Sequence, residues 1–237
     1  MDSKKKTARI AGFVYLIVVL SGIFHLMYVP SKLFVPDNPT ATINNIIASE
    51  TLFRLGIVSG LICFTAFLIL PLLLYKLLSS INKTHAVLMV TLAVVSVPIS
   101  FVNMLNKFAI LTLLNKANYL SVFEADQLSA QVMLHLDYFN NGTQIASIFW
   151  GLWLFPFGYL VFKSGFLPKI LGILLMIGCF GYTIDFLGGF LFSKYNESGI
   201  STFITIPDSI AEIGTCLWLL IIGARDKQVT KLSQLAI

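Results

Sequence analysis

The stretch Gly151–Phe192, GLWLFPFGYLVFKSGFLPKILGILLMIGCFGYTIDFLGGFLF, decides how the chain is read. Two apolar runs flank the short turn Lys163-Ser164-Gly165-Phe166-Leu167-Pro168-Lys169. Each run is about 20 residues long, enough for an α-helix to cross ~30 Å of hydrocarbon. So short a turn makes the two helices antiparallel neighbours, and its two lysines mark it as cytoplasmic. A lone carboxylate, Asp185, lies inside the second run.

Working outward, six such runs appear, at about 10–29, 52–75, 86–113, 142–162, 170–192 and 203–223. Of the 237 residues, 57% are hydrophobic and only 11% are charged. A soluble domain carries roughly 25% charged residues. The expectation is an all-α polytopic membrane bundle of six transmembrane helices, one domain over residues 1–237. Lys4, Lys5, Lys6, Arg9, Lys76, Lys83, Lys163, Lys169, Arg225, Lys227 and Lys231 fall on the side holding the N-terminus. Only Lys32, Lys116 and Lys194 fall on the other, which predicts both termini in the cytoplasm. The net charge of +5 therefore belongs to membrane orientation, and nucleic acid is not expected as a partner. Cys63, Cys179 and Cys216 all sit in apolar runs, as buried small hydrophobes and not as a disulfide or metal framework. The run from Ile10 to Val29 is too long for a signal-peptide core, and is read as an uncleaved first span.

Two outer connections carry helical patterns, predicting short amphipathic helices on the outer face, the second of which could instead be an outward extension of the fourth span. Ile43, Ile46 and Ile47 share one face of a short helix over Thr40–Glu50. Ser121-Val122-Phe123-Glu124 reads as a capping box before a second helix. There Ala125, Leu128, Val132, Leu136 and Phe139 keep helical spacing, and Asn140-Asn141-Gly142 is expected to break or bend it. Pro98 lies well inside the third run and predicts a kink. A weak internal echo pairs Arg9-Ile10-Ala11-Gly12 with Lys169-Ile170-Leu171-Gly172, and Arg54-Leu55-Gly56 with Glu212-Ile213-Gly214. Chance among apolar helices explains it at least as well as duplication.

The run WLFPFGYLVFKSGFLPKILGILLMIGCFGYTIDF closely resembles the signature of a bacterial family of six-span membrane proteins, catalogued as domain of unknown function 4386. Ala11-Gly12 with Tyr15, Ala125-Asp126-Gln127-Leu128, Gly181-Tyr182 with Asp185, and Pro207, Glu212 and Trp218-Leu219-Leu220 extend the match over nearly the whole chain. Ala211 stands where the family pattern has glycine. The resemblance implies a bacterial inner-membrane protein and supplies no activity.

An ionisable side chain at the bilayer centre costs at least ~2.5–3.5 kcal/mol on insertion scales, so each one needs a reason. His25, Arg54, Lys107, Asp185, Asp208 and Glu212 all fall in the outer half of the spans. Polar stripes run through Ser96, Ser100, Asn103 and Lys107, through Asn140, Gln144, Ser147 and Gly151, and through Asp208, Glu212 and Thr215. Tyr182 and Asp185 share a fourth face. Lipid cannot satisfy such stripes, so they are expected to face the interior. Lys107 and Arg54 are expected to approach the carboxylates. Together His25, Arg54, Asn103, Lys107, Gln144, Tyr182, Asp185, Asp208 and Glu212 form the candidate lining of an outward-facing polar cavity. That cavity would bind a small polar molecule or a lipid head group, in a sensor or small transporter. A membrane-embedded enzyme acting on lipid at the outer leaflet is the alternative, with interior ion pairs in a structural or assembly protein as the third reading. His25, His135, Asp137, Asp185 and Glu212 lack the spacing of a metal motif, and no P-loop or dinucleotide fingerprint occurs, so no metal or cofactor is expected. No G-x-S-x-G elbow occurs either, and the reading leans away from catalysis.

Overall fold

The computed structural model describes residues 3–36, 38–115, 118–192, 195 and 199–224. Lys116, Lys194, Arg225, Lys227 and Lys231, which entered the charge count, lie outside the described residues. The described chain is helical, with six helices long and apolar enough to cross a membrane. The first span is α1 (Ser3–Ile23), a π-helical turn (Phe24–Tyr28) and α2 (Val29–Leu33). A short helix, α3 (Pro39–Ala48), leads into the second span, α4 (Glu50–Leu78). The third is α5 (Lys83–Leu114), and the fourth is α6 (Ala125–Leu152) with α7 (Leu154–Ser164). The fifth is α8 (Lys169–Leu191), and the sixth is α9 (Ile200–Ile204) with α10 (Ile206–Ile221).

Local chemistry sets these limits. Asn38 caps α3 by accepting from the Ala41 N–H at 3.0 Å, and Asn82 caps α5 by accepting from His85 N–H at 3.0 Å. Between α7 and α8, Ser164 Oγ accepts from Leu167 N–H at 3.2 Å, and Gly165 takes φ 74°, the left-handed cap that glycine adopts without strain. The amphipathic outer helices form, with two corrections. The capping residue of α6 is Glu124 and not Ser121, with Gln127 Oε1 accepting from the Glu124 N–H at 3.0 Å. Asn140-Asn141-Gly142 does not interrupt α6, which is the outward extension of the fourth span, one of the two alternatives expected; between Ala125 and Ser164 helix is interrupted only at Trp153. Gly142 is tolerated because Asn103 of α5 occupies the space a side chain would take. α5 likewise continues as helix through Pro98.

Each span packs on the one before it, and the sixth returns to the first. The short turns make neighbours antiparallel. Arg9 donates to the Ile221 carbonyl at 3.1 Å, where a cation suits the C-terminal end of α10. The start of α1 and the end of α10 therefore lie at one end of the bundle, called here the near end. Gly12 lies against the Leu219–Leu220 backbone, so close that a Cβ would not fit, and Gly158 and Gly172 bring α7 and α8 together in the same way. Phe13, Leu20, Val102, Leu105, Phe190 and Phe203 point outward, as lipid-facing side chains do. The two glycines of the internal echo differ in their neighbours: Gly56 meets Val29 of α2, at the far end of the first span, whereas Gly214 meets Leu171 at the near end of α8.

The core has two parts. In the near half, all six spans contribute, around Tyr15, Leu74, Met89, Trp153, Phe157, Leu175 and Leu219. In the far half, the buried residues Val29, Ile46, Phe53, Met104, Val132, Leu136 and Phe139 bring together α2 to α6, with Phe24 and Leu26 of the π-helical turn packed against them. The far halves of α8 and α10 stand apart from that packing. Val18 and Trp150 pack against both parts.

Candidate functional site

The ionisable groups of the spans divide into two groups that do not meet. The basic group sits in the far core. The π-helical turn carries His25, fully buried, toward α4, where its Nδ1 lies 2.9 Å from the Gly56 carbonyl. Such a turn adds a residue to the helix and re-aims its side chains. Gly60 leaves room for the ring; a Cβ there would lie 2.8 Å from it. Phe64 and Phe139 meet the imidazole edge-on, with centroids at 5.8 and 5.7 Å. Lys107 of α5, 1% exposed, places its Nζ 3.5 Å from His25 Nδ1 and 4.1 Å from the centre of the Phe139 ring. One nitrogen cannot donate to Gly56 and accept from Lys107 in a single tautomer. The shorter contact assigns the proton to Nδ1, which leaves Nε2 as a buried acceptor without a partner. Lys107 then rests chiefly on the face of Phe139.

The expected approach of Lys107 and Arg54 to the carboxylates does not occur. Arg54 is exposed and pairs with Glu50 one helical turn back, its Nε 2.7 Å from Oε1, and this is the only ion pair among the described residues. The separation follows from the bundle: α5 packs on α4, α6 and α7, away from α8 and α10. The Ser96–Ser100–Asn103–Lys107 stripe is buried throughout. Asn103 serves to join α5 to α6, donating to the Phe139 carbonyl at 2.8 Å and to Thr143 Oγ1 at 3.2 Å. Asn106 and His135 continue that seam at 3.1 Å. The Asn140 stripe is interior only at Gly151, which is buried against Tyr182: Asn140 is exposed, Gln144 and Ser147 are half-buried, and Ser147 donates to the Gln144 main-chain carbonyl.

The acidic group lies between α1, α8 and α10. Asp208 is 3% exposed in the first turn of α10, packed on Gly178, with Oδ1 unpartnered. Glu212 follows one turn later and accepts from the Tyr15 hydroxyl at 3.2 Å. Asp185, farther out on α8, also keeps one oxygen without a hydrogen bond. Tyr195 lies beyond the end of α8 with its ring over Gly188; burial, and then the facing Asp185 carboxylate, push its phenol up.

Beside Glu212 opens a chamber of about 530 Å³. α1 and the π-helical turn line it with Tyr15, Val18, Val19, Gly22, Ile23, Leu26 and Met27. α4 contributes Cys63, Phe64 and Phe67; Trp150 and Trp153 close the side toward the fourth span. Tyr182 of α8 and Ser209, Glu212 and Ile213 of α10 complete it. Within the lining Phe67 meets Trp153 edge-on, with centroids 5.2 Å apart, and Phe157 stacks on Trp153 at 5.0 Å from outside the chamber. Ile23, Met27 and Ile213 are exposed at its rim, so the mouth lies between the far halves of α1 and α10. Of the candidate lining residues, Tyr182 and Glu212 reach this space; His25, Arg54, Asn103, Lys107, Gln144, Asp185 and Asp208 do not line it. Its walls are mainly apolar, contrary to the polar cavity expected. Asn103 instead borders a shallow groove with Pro98, Ile99, Val102, Asn106 and Gly142. Sequence reasoning passed over Tyr15, Trp150 and Trp153 as site residues. A tyrosine inside a span needs a partner for its hydroxyl, and that requirement alone pointed to Tyr15.

The residues chemistry would call on for a metal are dispersed: among the described residues, no three His, Cys, Asp or Glu gather to hold one. The fold and these sites define an integral, multi-pass membrane protein with a chamber set into its helical bundle. The chain belongs to the family described as Domain of unknown function (DUF4386), whose profile matches residues 10–223. It is similar to an uncharacterized protein of Archaeoglobus fulgidus, 37% identical over 110 residues, which are 46% of this chain and 63% of that one. The match thus spans less than two thirds of that relative's length. No solved structure matches the chain.

Proposed function

We propose that the protein takes one amphipathic molecule from the bilayer into the chamber, with the polar end of the ligand at Glu212 and Tyr15. It would then act as a sensor or small transporter for that molecule. The observation that carries this reading is the chamber itself, about 530 Å³, apolar except at one end and rimmed by lipid-facing side chains. Ligand sites are typically ~300–1,000 Å³, mostly apolar, with a few placed polar groups. In a bilayer the mouth between α1 and α10 faces acyl chains, so entry from the membrane does not require the ligand to cross water.

The test uses tryptophan emission. Replacing Trp218 by Phe leaves Trp150 and Trp153 as reporters, since the chain has three tryptophans. In bilayers of phospholipid with brominated chains, emission should be quenched if apolar chains enter the chamber. Gly22→Leu fills the space beside Cys63 and should restore the emission. Quenching that ignores this substitution would show that the chamber stays closed to the membrane.

A further inference from the structure

We propose that the chamber selects lipophilic cations, molecules whose positive charge is spread over apolar or aromatic groups. This deepens the preceding reading and rests on it. The one charged side chain in the lining is Glu212. Behind it, one turn away, Asp208 is 3% exposed with an oxygen that has no partner, adding negative field to the same end of the chamber. Among the described residues, no lysine or arginine forms an ion pair with Asp185, Asp208 or Glu212. Lys107 and His25 pack on Phe139 and line no part of the chamber; His25 meets its wall through the edge-on contact with Phe64. Phe64, Phe67, Trp150 and Trp153 supply the walls. Aromatic faces attract cations, more strongly where water is excluded. A carboxylate and π faces therefore act in the same direction, and both oppose an anion. Size matters too. A compact ammonium is strongly hydrated and costly to bring into an apolar space, whereas a charge distributed over carbon is cheaper to desolvate. The apolar walls and the carboxylate thus favour the same ligand class.

The experiment compares tetraphenylphosphonium with tetraphenylborate, ions of one shape and opposite charge. Binding is measured by equilibrium dialysis against the full chain in lipid nanodiscs, with empty nanodiscs subtracted for partition into lipid. The expected result is saturable binding of tetraphenylphosphonium and none of tetraphenylborate. Glu212→Gln should weaken the cation by about tenfold or more, the loss of one charge contact. The side-chain amide that this substitution introduces can still accept from Tyr15, which favours folding. Gly22→Leu should block the cation without any change of charge. Glu50→Gln, at the exposed pair with Arg54, should leave it unchanged. Equal saturable binding of both ions, blocked by Gly22→Leu, would overturn the charge preference and leave the chamber reading standing. Absence of saturable binding by the cation would overturn the proposal, and the brominated-lipid result then reports separately on the chamber.

Discussion

Lys107 is the residue whose situation departs furthest from what its charge would suggest. It is nearly fully buried, has no carboxylate partner among the described residues, and rests on Phe139 beside His25. Burying such a charge costs at least about 2.5–3.5 kcal/mol, and a desolvated cation–π contact returns about 2 kcal/mol. Lys107→Met keeps the volume and removes the charge. We expect it to unfold later than the parent in detergent, by about 1 kcal/mol on those figures. Earlier unfolding would show that the ammonium is a net stabiliser. Gly60→Ala should act in the opposite direction, because its Cβ would press on the His25 ring. A loss of about 1–3 kcal/mol is expected from overpacking there, read in the same assay. The sequence showed that Lys107 faces inward, since Ser96, Ser100 and Asn103 share its helical stripe. Its partner was not legible. Spacing fixes which face of α5 is polar, while the neighbour that face meets depends on helix order and rotation in the bundle. The π-helical turn that re-aims His25 leaves no mark in hydropathy either.

The helices show the same division between what is local and what is tertiary. The amphipathic period of Val132, Leu136 and Phe139 placed a helix correctly, because a 3.6-residue repeat is a property of the segment alone. Asn140-Asn141-Gly142 carries strong breaking residues, yet α6 continues because Gly142 is held against Asn103. That contact joins residues from two spans and could not be read from either. The start of α6 depends on Glu124 and Gln127, both exposed, whose exchange of hydrogen bonds satisfies otherwise free N–H groups. Glu124→Ala should cost about 0.5–2 kcal/mol of local stability. The effect should appear as faster amide hydrogen exchange in the first turns of α6, with the rest of the bundle unchanged. Uniform loss of protection across all spans would show that this turn is coupled to global folding.

At the scale of the whole molecule, six spans were legible because length and apolarity suffice to define a crossing helix. The candidate site was legible only in part. Glu212 and Tyr182 reach one chamber, but equal depth did not imply proximity, and Lys107 is on α5, which packs on α4, α6 and α7 and not on the helices that carry the carboxylates. Orientation in the membrane makes a separate prediction. Lys4, Lys5, Lys6, Arg9, Lys76, Lys83, Lys163 and Lys169 lie at or beside the near ends of their helices, and that end is expected in the cytoplasm. A reporter enzyme fused after Ile237 should be active only in its cytoplasmic form; activity of a reporter that works outside would reverse the orientation.

The contact between the first span and the last also sets an order of events during synthesis. Gly12 meets Leu220, Arg9 meets Ile221, and Tyr15 meets Glu212, each across about 200 residues of chain. When α1 enters the membrane, the helix that will cover this face has not been made. Every intermediate on the ribosome therefore carries an unsealed edge, with Gly12 bare and the Tyr15 hydroxyl without its acceptor. Closure must wait for α10, and the step that completes the bundle is the same step that creates the chamber. A nascent chain halted after α8 would be inserted, largely packed, and open along one side to whatever lipid or helix lies beside it.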